Sequence, residues 1–522
     1  MESLSNLYKK ATSWKYFDYL ILSLVVVFIV IANQIWLGLN QRPPHWDMGR
    51  HLWQSFVYQS FFGEIFRGKI ISGIYNVIFD YKYYPPLLYW LTYPFYLLFG
   101  ISIKSAVLVN TIFISILTLS VYGIGKYLYN RKVALISAIL ALSMPMIVSQ
   151  FKEYQLDAPL ASLVALSFFL LLKTNEFKDK KWSILFGLSL GFGMLLKWTF
   201  AFFLFVPVIF VLGQKIKDLL KNKINFKKIN LWKNEILVFV TALIIAGPWY
   251  IRNIRKLKRD FAQNGIKQAI IEGDPVSFPQ NLIWQFNNLI NNNLYFIIFL
   301  LFVTGLLVSI FYKKIRAKNL LIIISIISGF AIFTYLPNKD ARYILPLVPL
   351  ISIISVFWID LAEKKIIKNL LFVVLAVFSV FMFYSVSFGI KSLPKALYIK
   401  IFKQHYIVYA QGGYIIGPPQ KEKWFQEDMI KEVAKEEGSK LYFVGLDTVW
   451  FNNWGLIYYS SLYKVSLVKE NELSKGDFFA VRESSNENIE KTVSNSKFKE
   501  KLSLVKEYIL PDNTILRLYR LK

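Results

Sequence analysis

Residues 43–56 read PPHWDMGRHLWQSF and residues 81–100 read YKYYPPLLYWLTYPFYLLFG. They bracket the first long polar interruption after the first apolar segment, which holds Asp47, Arg50 and two of the chain's three histidines, His45 and His51. An aspartate next to Trp46 and close to Trp53, between apolar segments of membrane length, is costly to place unless a site uses it. The stretch therefore settles two readings together: the chain spans a membrane, and its chemistry is expected in this loop.

Composition agrees. Of 522 residues, 55% are hydrophobic and 17% aromatic, more than a soluble chain of this length needs to fill its core. The net charge of +28 does not imply nucleic acid, because that reading needs the basic residues gathered on one polar face. Here they sit between apolar runs, as in cytoplasmic loops facing anionic lipid. With no cysteine, disulfides and thiolate chemistry are excluded. Lys9, Lys10 and Lys15 precede an apolar run over residues 18–38 that is long enough to cross a bilayer. No small-residue cleavage site follows, so this is read as an uncleaved span with a cytoplasmic N-terminus.

Further apolar segments fall at residues 105–125, 133–149, 158–172, 183–196, 198–213, 236–250, 294–311, 320–336, 343–359 and 369–387, which predicts about eleven transmembrane helices. The loops that this count turns inward, 126–132, 173–181, 214–234, 312–319 and 360–368, are all rich in lysine or arginine. Residues 214–234 alone carry seven lysines against one acid, Asp218. Reading 183–213 as one span would turn that loop outward, so two short spans hinged at Lys197 are expected. Residues 47–62 and 86–99 are too short to cross and are read as interfacial helices of the first outer loop. From residue 391 the composition becomes soluble. A helix over 427–438 and strands at 441–446, 477–483 and 514–521 predict a small extracytoplasmic α/β domain, 391–522, after a membrane domain, 1–390.

This parity puts Asp47, Asp157, Lys197, Arg252, Lys339 and Arg342 on the outer side. Asp47 is either a first-turn acid of a helix or a carboxylate whose pKa is lifted by desolvation, fit to act as a general base. Arg50, one turn on, either pairs with Asp47 or binds a phosphate. His45, Asp47 and His51 are weak candidates for a metal site, with no third protein ligand evident beyond them. Asp157 caps a helix or supplies a second carboxylate. Lys197 snorkels or reaches a buried anion. Arg252, Lys339 and Arg342 complete an outward set of cations suited to a polyprenyl phosphate.

Taken together, these segments resemble the GT-C membrane glycosyltransferases that use polyprenyl-phosphate sugars, in particular the protein mannosyltransferase and aminoarabinose (lipid A) transferase branch. Asp47 with Arg50 resembles the family's D-x-x-R, and YYPPLLYWLTYPFYLLFG the Pro-Pro-Leu segment that follows. LDAPLASLVAL resembles the second acidic motif, GLSLGFGMLLKWTF the Gly-rich hairpin with its lysine, and GPWYIRN and RYILPLVP the two later arginine segments. The resemblance implies that Asp47 is the base on the acceptor, that Asp157 helps to position it, and that Lys197, Arg252 and Arg342 hold the lipid phosphate. Where the aminoarabinose branch has Glu-Lys before Pro-Pro, this chain has Tyr83-Tyr84 with Lys82 displaced. Lys82 and Tyr84 are accordingly placed among the substrate contacts.

The expected function is sugar transfer from a polyprenyl-phosphate donor to a protein, lipid or glycan acceptor outside the plasma (inner) membrane, without a cofactor. No nucleotide site is expected, since the glycines near 187–193 sit in a span and do not follow a strand. One rival is a metal-dependent oligosaccharide transferase or ligase with a lipid-diphosphate donor. The other is a transporter or flippase of lipid-linked sugars, against which stand the absence of mid-span acids and of an internal repeat.

Overall fold

The computed structural model describes residues 16–81, 83–223, 229–263, 265–446, 448–483 and 488–522. Lys9, Lys10, Lys15 and Lys82, on which expectations above rest, lie outside these residues.

Helices occupy all eleven places where spans are predicted, but not all have membrane length. Seven are long and apolar enough to cross a bilayer: 17–39, 103–128, 200–221, 230–260, 313–335, 341–361 and 365–388. An eighth exists if the pair Gln280–Leu294 and Phe296–Phe311, bent by 110°, is one broken span. The other three predicted spans are shorter, with helices Arg131–Ser143, Asp157–Lys173 and Lys180–Leu196 of 13, 17 and 17 residues. Asp157–Lys173 is buried along most of its length, so its ends meet protein, where a helix need not match the bilayer thickness. By length and apolarity alone, then, seven helices among the described residues, or eight with the bent pair, are each sufficient to cross a bilayer.

Two separate helices do meet at Lys197, as the charge parity requires: Lys180–Leu196 stops there and Phe200–Lys221 starts three residues on. The first of them packs tightly on the long helix Lys233–Gln263. A Cβ on Gly187 would lie 2.7 Å from the Val238 carbonyl oxygen, and one on Gly191 would lie 2.7 Å from Ile245. Small residues four apart let two membrane helices approach this closely.

The loop after the first span forms three helices, Trp46–Phe66, Ile70–Phe79 and Leu87–Phe99. The last begins after Pro85-Pro86 and ends at Gly100, whose φ of +74° lies in the left-handed region.

The C-terminal part is a small sheet domain. A hairpin, β1 (Ala396–Ile401) with β2 (Gln404–Ala410), leads into a five-stranded mixed sheet of order β4-β3-β5-β7-β6. Its strands are β3 (Lys440–Val444), β4 (Ser466–Leu467), β5 (Phe478–Arg482), β6 (Leu502–Ile509) and β7 (Ile515–Leu521). The β4/β3/β5 side is parallel and the β5/β7/β6 side antiparallel. Its helix Asn453–Leu462, capped by the Asn452 side chain accepting from Gly455 N at 2.8 Å, lies on the first-loop helix Trp46–Phe66. There a Cβ on Gly49 would come within 2.8 Å of Gly455 N, so the two backbones are nearly in contact. Asn452 also donates to the Pro44 carbonyl (3.1 Å), and Trp36 donates to the Gly417 carbonyl (2.9 Å). The sheet domain is therefore fastened directly to the segment that carries Asp47.

Candidate active site

The first-loop helix begins beside Pro43-Pro44, with His45 at its N-cap in an extended conformation. Asp47 and Arg50, three apart, share one face and line a cleft of about 390 Å³. Tyr84, Lys197, Asp340 and Arg342 line it as well.

Asp47 is paired, but not with Arg50. Arg342 Nη2 donates to Asp47 Oδ2 at 2.8 Å, while 49% of the Asp47 side chain remains open to the cleft. Burial within the protein pushes this carboxyl up, yet the Arg342 guanidinium, by charge and hydrogen bond, outweighs it. The Asp47 carboxyl is held well below the usual carboxylate range, which corrects the expectation of a lifted pKa. Arg342 is shared: its Nε donates to Asp340 Oδ1 at 2.9 Å, its Nη2 also donates to Asp340 Oδ2, and its Nη1 donates to Gln155 Oε1.

Beneath this layer lies the second acid. Asp157 opens the helix Asp157–Lys173, and its Oδ1 accepts from Lys197 Nζ at 2.7 Å. Both side chains are almost fully buried, 6% and 7% exposed. Arg342 Nη1 stands 4.0 Å from the other Asp157 oxygen. Lys197 reaches this place because its helix ends there and its own backbone is extended (φ −155°, ψ 131°). Asp47, Asp157, Lys197 and Arg342 therefore form one cluster.

Arg50 stands apart from the acids. Its guanidinium carbon lies 4.7 Å from the Tyr83 ring centre, 5.6 Å from Tyr84 and 5.3 Å from Trp454 of the sheet domain. Its Nε has no hydrogen-bond partner, and no carboxylate pairs with it among the described residues. This is an arginine held by aromatic faces. Burial, with Asp47 adding, keeps the Tyr84 phenol protonated well above its ordinary value, so Tyr84 serves as a neutral hydroxyl.

The remaining expectations fare differently. Lys339 lines the cleft, but its ammonium donates to the carbonyls of Phe333 (3.2 Å), Thr334 (2.5 Å) and Leu336 (2.5 Å), closing the C-terminus of the helix Lys313–Tyr335. Burial pushes it down to about 8, against the pull of Asp274. Arg252 is exposed on the helix Lys233–Gln263 and does not line the cleft. The residue facing inward there is Asn253, which donates to the Phe79 carbonyl at 3.1 Å. The trio His45, Asp47 and His51 does not converge: His45 Nε2 lies 2.7 Å from Glu153 Oε1, and His51 Nδ1 lies 2.9 Å from the Tyr89 hydroxyl. Among the described residues no group of three or more His, Asp or Glu is placed to hold a metal ion. Burial, with Arg50, Lys197 and Arg342, pushes His51 down to about 3 although Asp47 opposes this, so its imidazole is neutral.

Sequence reasoning missed Asp340, Gln155 and Glu153. Gln155 links the histidine to the cluster, its amide nitrogen 2.9 Å from His45 Nε2 and its oxygen accepting from Arg342. Asp340 carried a signal, since it stands two residues before Arg342 and accepts from the Arg342 backbone N–H at 2.9 Å.

By likeness to known proteins, this helical domain with its small C-terminal sheet domain has the GT-C fold. A family model, Dolichyl-phosphate-mannose-protein mannosyltransferase, matches residues 84–250. The chain is similar over nearly its whole length to ArnT from Cupriavidus metallidurans. The structure of that protein bound to undecaprenyl phosphate gives a TM-score of 0.56 at 13% identity, covering 97% of this chain and 98% of that one. Its apo structure gives 0.57 at 15% identity, covering 95% and 98%. The archaeal oligosaccharyltransferase AglB from Archaeoglobus fulgidus, in complex with an inhibitory peptide and a dolichol-phosphate, gives 0.51 at 12% identity, covering 96% of this chain and 74% of that one. No curated protein sequence matches.

Proposed function

We propose that this chain is an inverting membrane glycosyltransferase that moves a sugar from a polyprenyl monophosphate to an acceptor hydroxyl or amine on the extracytoplasmic face of the plasma membrane. One observation carries the reading. On a single helical face, a half-exposed carboxylate, Asp47, stands beside an arginine, Arg50, that no carboxylate among the described residues neutralises, and both face the same cleft. A base and an anion contact three residues apart are what transfer from a phosphate ester requires.

In the proposed step the acceptor atom attacks the anomeric carbon from the side opposite the phosphate. The bond from that carbon to the phosphate oxygen breaks, and the electron pair leaves with the polyprenyl phosphate. Asp47 takes the acceptor's proton. Because Arg342 holds the carboxylate ionised, Asp47 is ready to accept at any physiological pH, and as a weak base it takes the proton late, as the bond to the acceptor forms. Arg50 meets the charge that grows on the leaving phosphate. Asp157 and Lys197, bonded to each other, act as positioning residues that hold Arg342 from below. Residues 1–390 supply this machinery. Residues 391–522, on the same outer side, contribute Trp454 to the Arg50 cradle.

The test is sugar transfer by the full-length protein in proteoliposomes, offered labelled polyprenyl-monophosphate and polyprenyl-diphosphate sugars with and without chelator. Use of the monophosphate donor, indifferent to chelation, is expected. Use of the diphosphate donor alone with loss on chelation would assign the chain to the metal-dependent ligases instead. Movement of intact lipid-linked sugar without transfer would make it a flippase.

A further inference from the structure

A second cavity, of about 310 Å³, lies behind the same helical turn. His45 and Met48 line it, whereas Asp47 and Arg50 line the first cleft. At 3.6 residues per turn the two pairs fall on different sides of the helix, so the turn is a wall between the cavities and an occupant of the second cannot touch Asp47.

The charges in this cavity do not balance. Its two acids are already engaged: Glu153 by His45 (2.7 Å) and Gln150 (2.8 Å), Glu427 by Lys431 (2.8 Å) and Tyr463 (2.5 Å). Arg42 is engaged by Glu422 at 2.9 Å. Two lysines are left. Lys152, 1% exposed, donates to the Val148 carbonyl at 2.9 Å, which uses one of its three N–H donors, and no carboxylate is bonded to it among the described residues. Lys104, exposed at the rim, has no ion pair among the described residues. Tyr458 also lines the cavity, and its buried hydroxyl has no hydrogen-bond partner among the described residues. The Lys152 ammonium also lies 5.7 Å from the Phe383 ring centre, which leaves N–H donors unfilled. A buried ammonium with unfilled donors and a buried hydroxyl with no partner are costly unless something completes them. Burial pushes Lys152 down to about 7, with only Glu153 opposing, and an anion in the cavity would hold it charged.

The location selects the anion's carrier. Trp36 belongs to the first membrane helix, Phe17–Leu39, and Lys104 opens the span 103–128. Leu97, Leu98 and Phe99, just before the Ile101–Lys104 rim, are 63%, 75% and 61% exposed, an apolar surface fit for lipid. We propose that this second cavity binds a phosphate group borne by a membrane lipid headgroup, held by Lys152 and Lys104 with the Tyr458 hydroxyl as donor. The site is separate from the donor cleft and does not depend on the transferase reading.

The test is lipid retention by the full-length protein. The protein is purified in detergent, incubated with phosphatidylglycerol, phosphatidylcholine or inorganic phosphate, and examined by native mass spectrometry and thermal unfolding. One phosphatidylglycerol per chain, in preference to phosphatidylcholine, is expected. Lys104→Met and Lys152→Met should each lower its retention about fivefold, the worth of one lysine near an anionic headgroup. Tyr458→Phe should lower it less. Lys104 is exposed, so its variant reads binding even if Lys152→Met folds poorly. Thermal protection by inorganic phosphate equal to that by phosphatidylglycerol would keep the phosphate site and overturn the lipid as its source. Retention unchanged in Lys104→Met and Tyr458→Phe, or phosphatidylcholine held as firmly as phosphatidylglycerol, would overturn the site.

Discussion

Arg342 Nη2 meets Asp47 Oδ2 at 2.8 Å across 295 residues of sequence, and it divides itself between that carboxylate and Asp340. The contact sets the protonation of the proposed base. The folded pKa of Asp47 lies below its ordinary value near 4, so the pair's stabilisation is complete above that pH. It is lost only as the pH falls through the much lower folded value. Wild-type activity should therefore show no acid limb from Asp47 above about pH 4. In Arg342→Gln burial acts without its main opponent, and an acid limb should appear and move up by more than about one pH unit. A pH profile of kcat/KM in both proteins checks this.

The Asp157–Lys197 pair is buried on both sides and separates into a different kind of test. Asp157→Asn or Lys197→Met alone leaves a charge without its partner and should cost about 3–5 kcal/mol of stability. The double variant should recover part of that loss, since no unpaired charge remains. Thermal unfolding in detergent measures both. Equal and additive losses would mean that the two side chains do not act as a pair.

Lys339 distinguishes capping from phosphate binding. With its ammonium on three carbonyls, Lys339→Met should lower stability by about 2 kcal/mol and leave the KM for the lipid donor within twofold of wild type. A rise in KM without loss of stability would return Lys339 to the set of donor contacts.

The contact between the sheet domain and the first loop is testable at its narrowest point. A side chain on Gly455 would press on Gln426 and on the Pro44 carbonyl, 2.8 and 3.4 Å from its Cβ. Gly455→Leu should therefore displace Trp454 from Arg50 and reduce transfer at least about tenfold, while circular dichroism still reports an intact helical domain. Full activity in this variant would free the sheet domain from any part in the cleft.

What the sequence made legible follows from range. Hydropathy and lysine placement are local sums over many residues, so all eleven helical segments and the shared side of Asp47, Asp157, Lys197 and Arg342 could be read directly. Helix length could not, because Asp157–Lys173 is buried along most of its length, and apolarity alone does not tell a lipid neighbour from a leucine. Pairing could not either. Arg50 is the nearest cation to Asp47 in the chain, yet the partner is Arg342, since Arg50 turns to Tyr83, Tyr84 and Trp454. Arg252 shows the cost of naming residues by charge: one position along the helix, Asn253 is the residue that faces in. The helix Asn453–Leu462, which closes the Arg50 cradle, has no helical signal strong enough to separate it from the aromatic loop before it.

The measurement that bears most directly on the central claim is single-turnover transfer from a labelled polyprenyl-monophosphate sugar by Asp47→Asn, whose amide keeps the shape of the carboxylate but cannot take a proton. The account predicts transfer reduced by about 10²–10⁴, with donor binding retained through Arg50. Transfer at the wild-type rate in Asp47→Asn would contradict it, and the base would have to be sought elsewhere in the cleft.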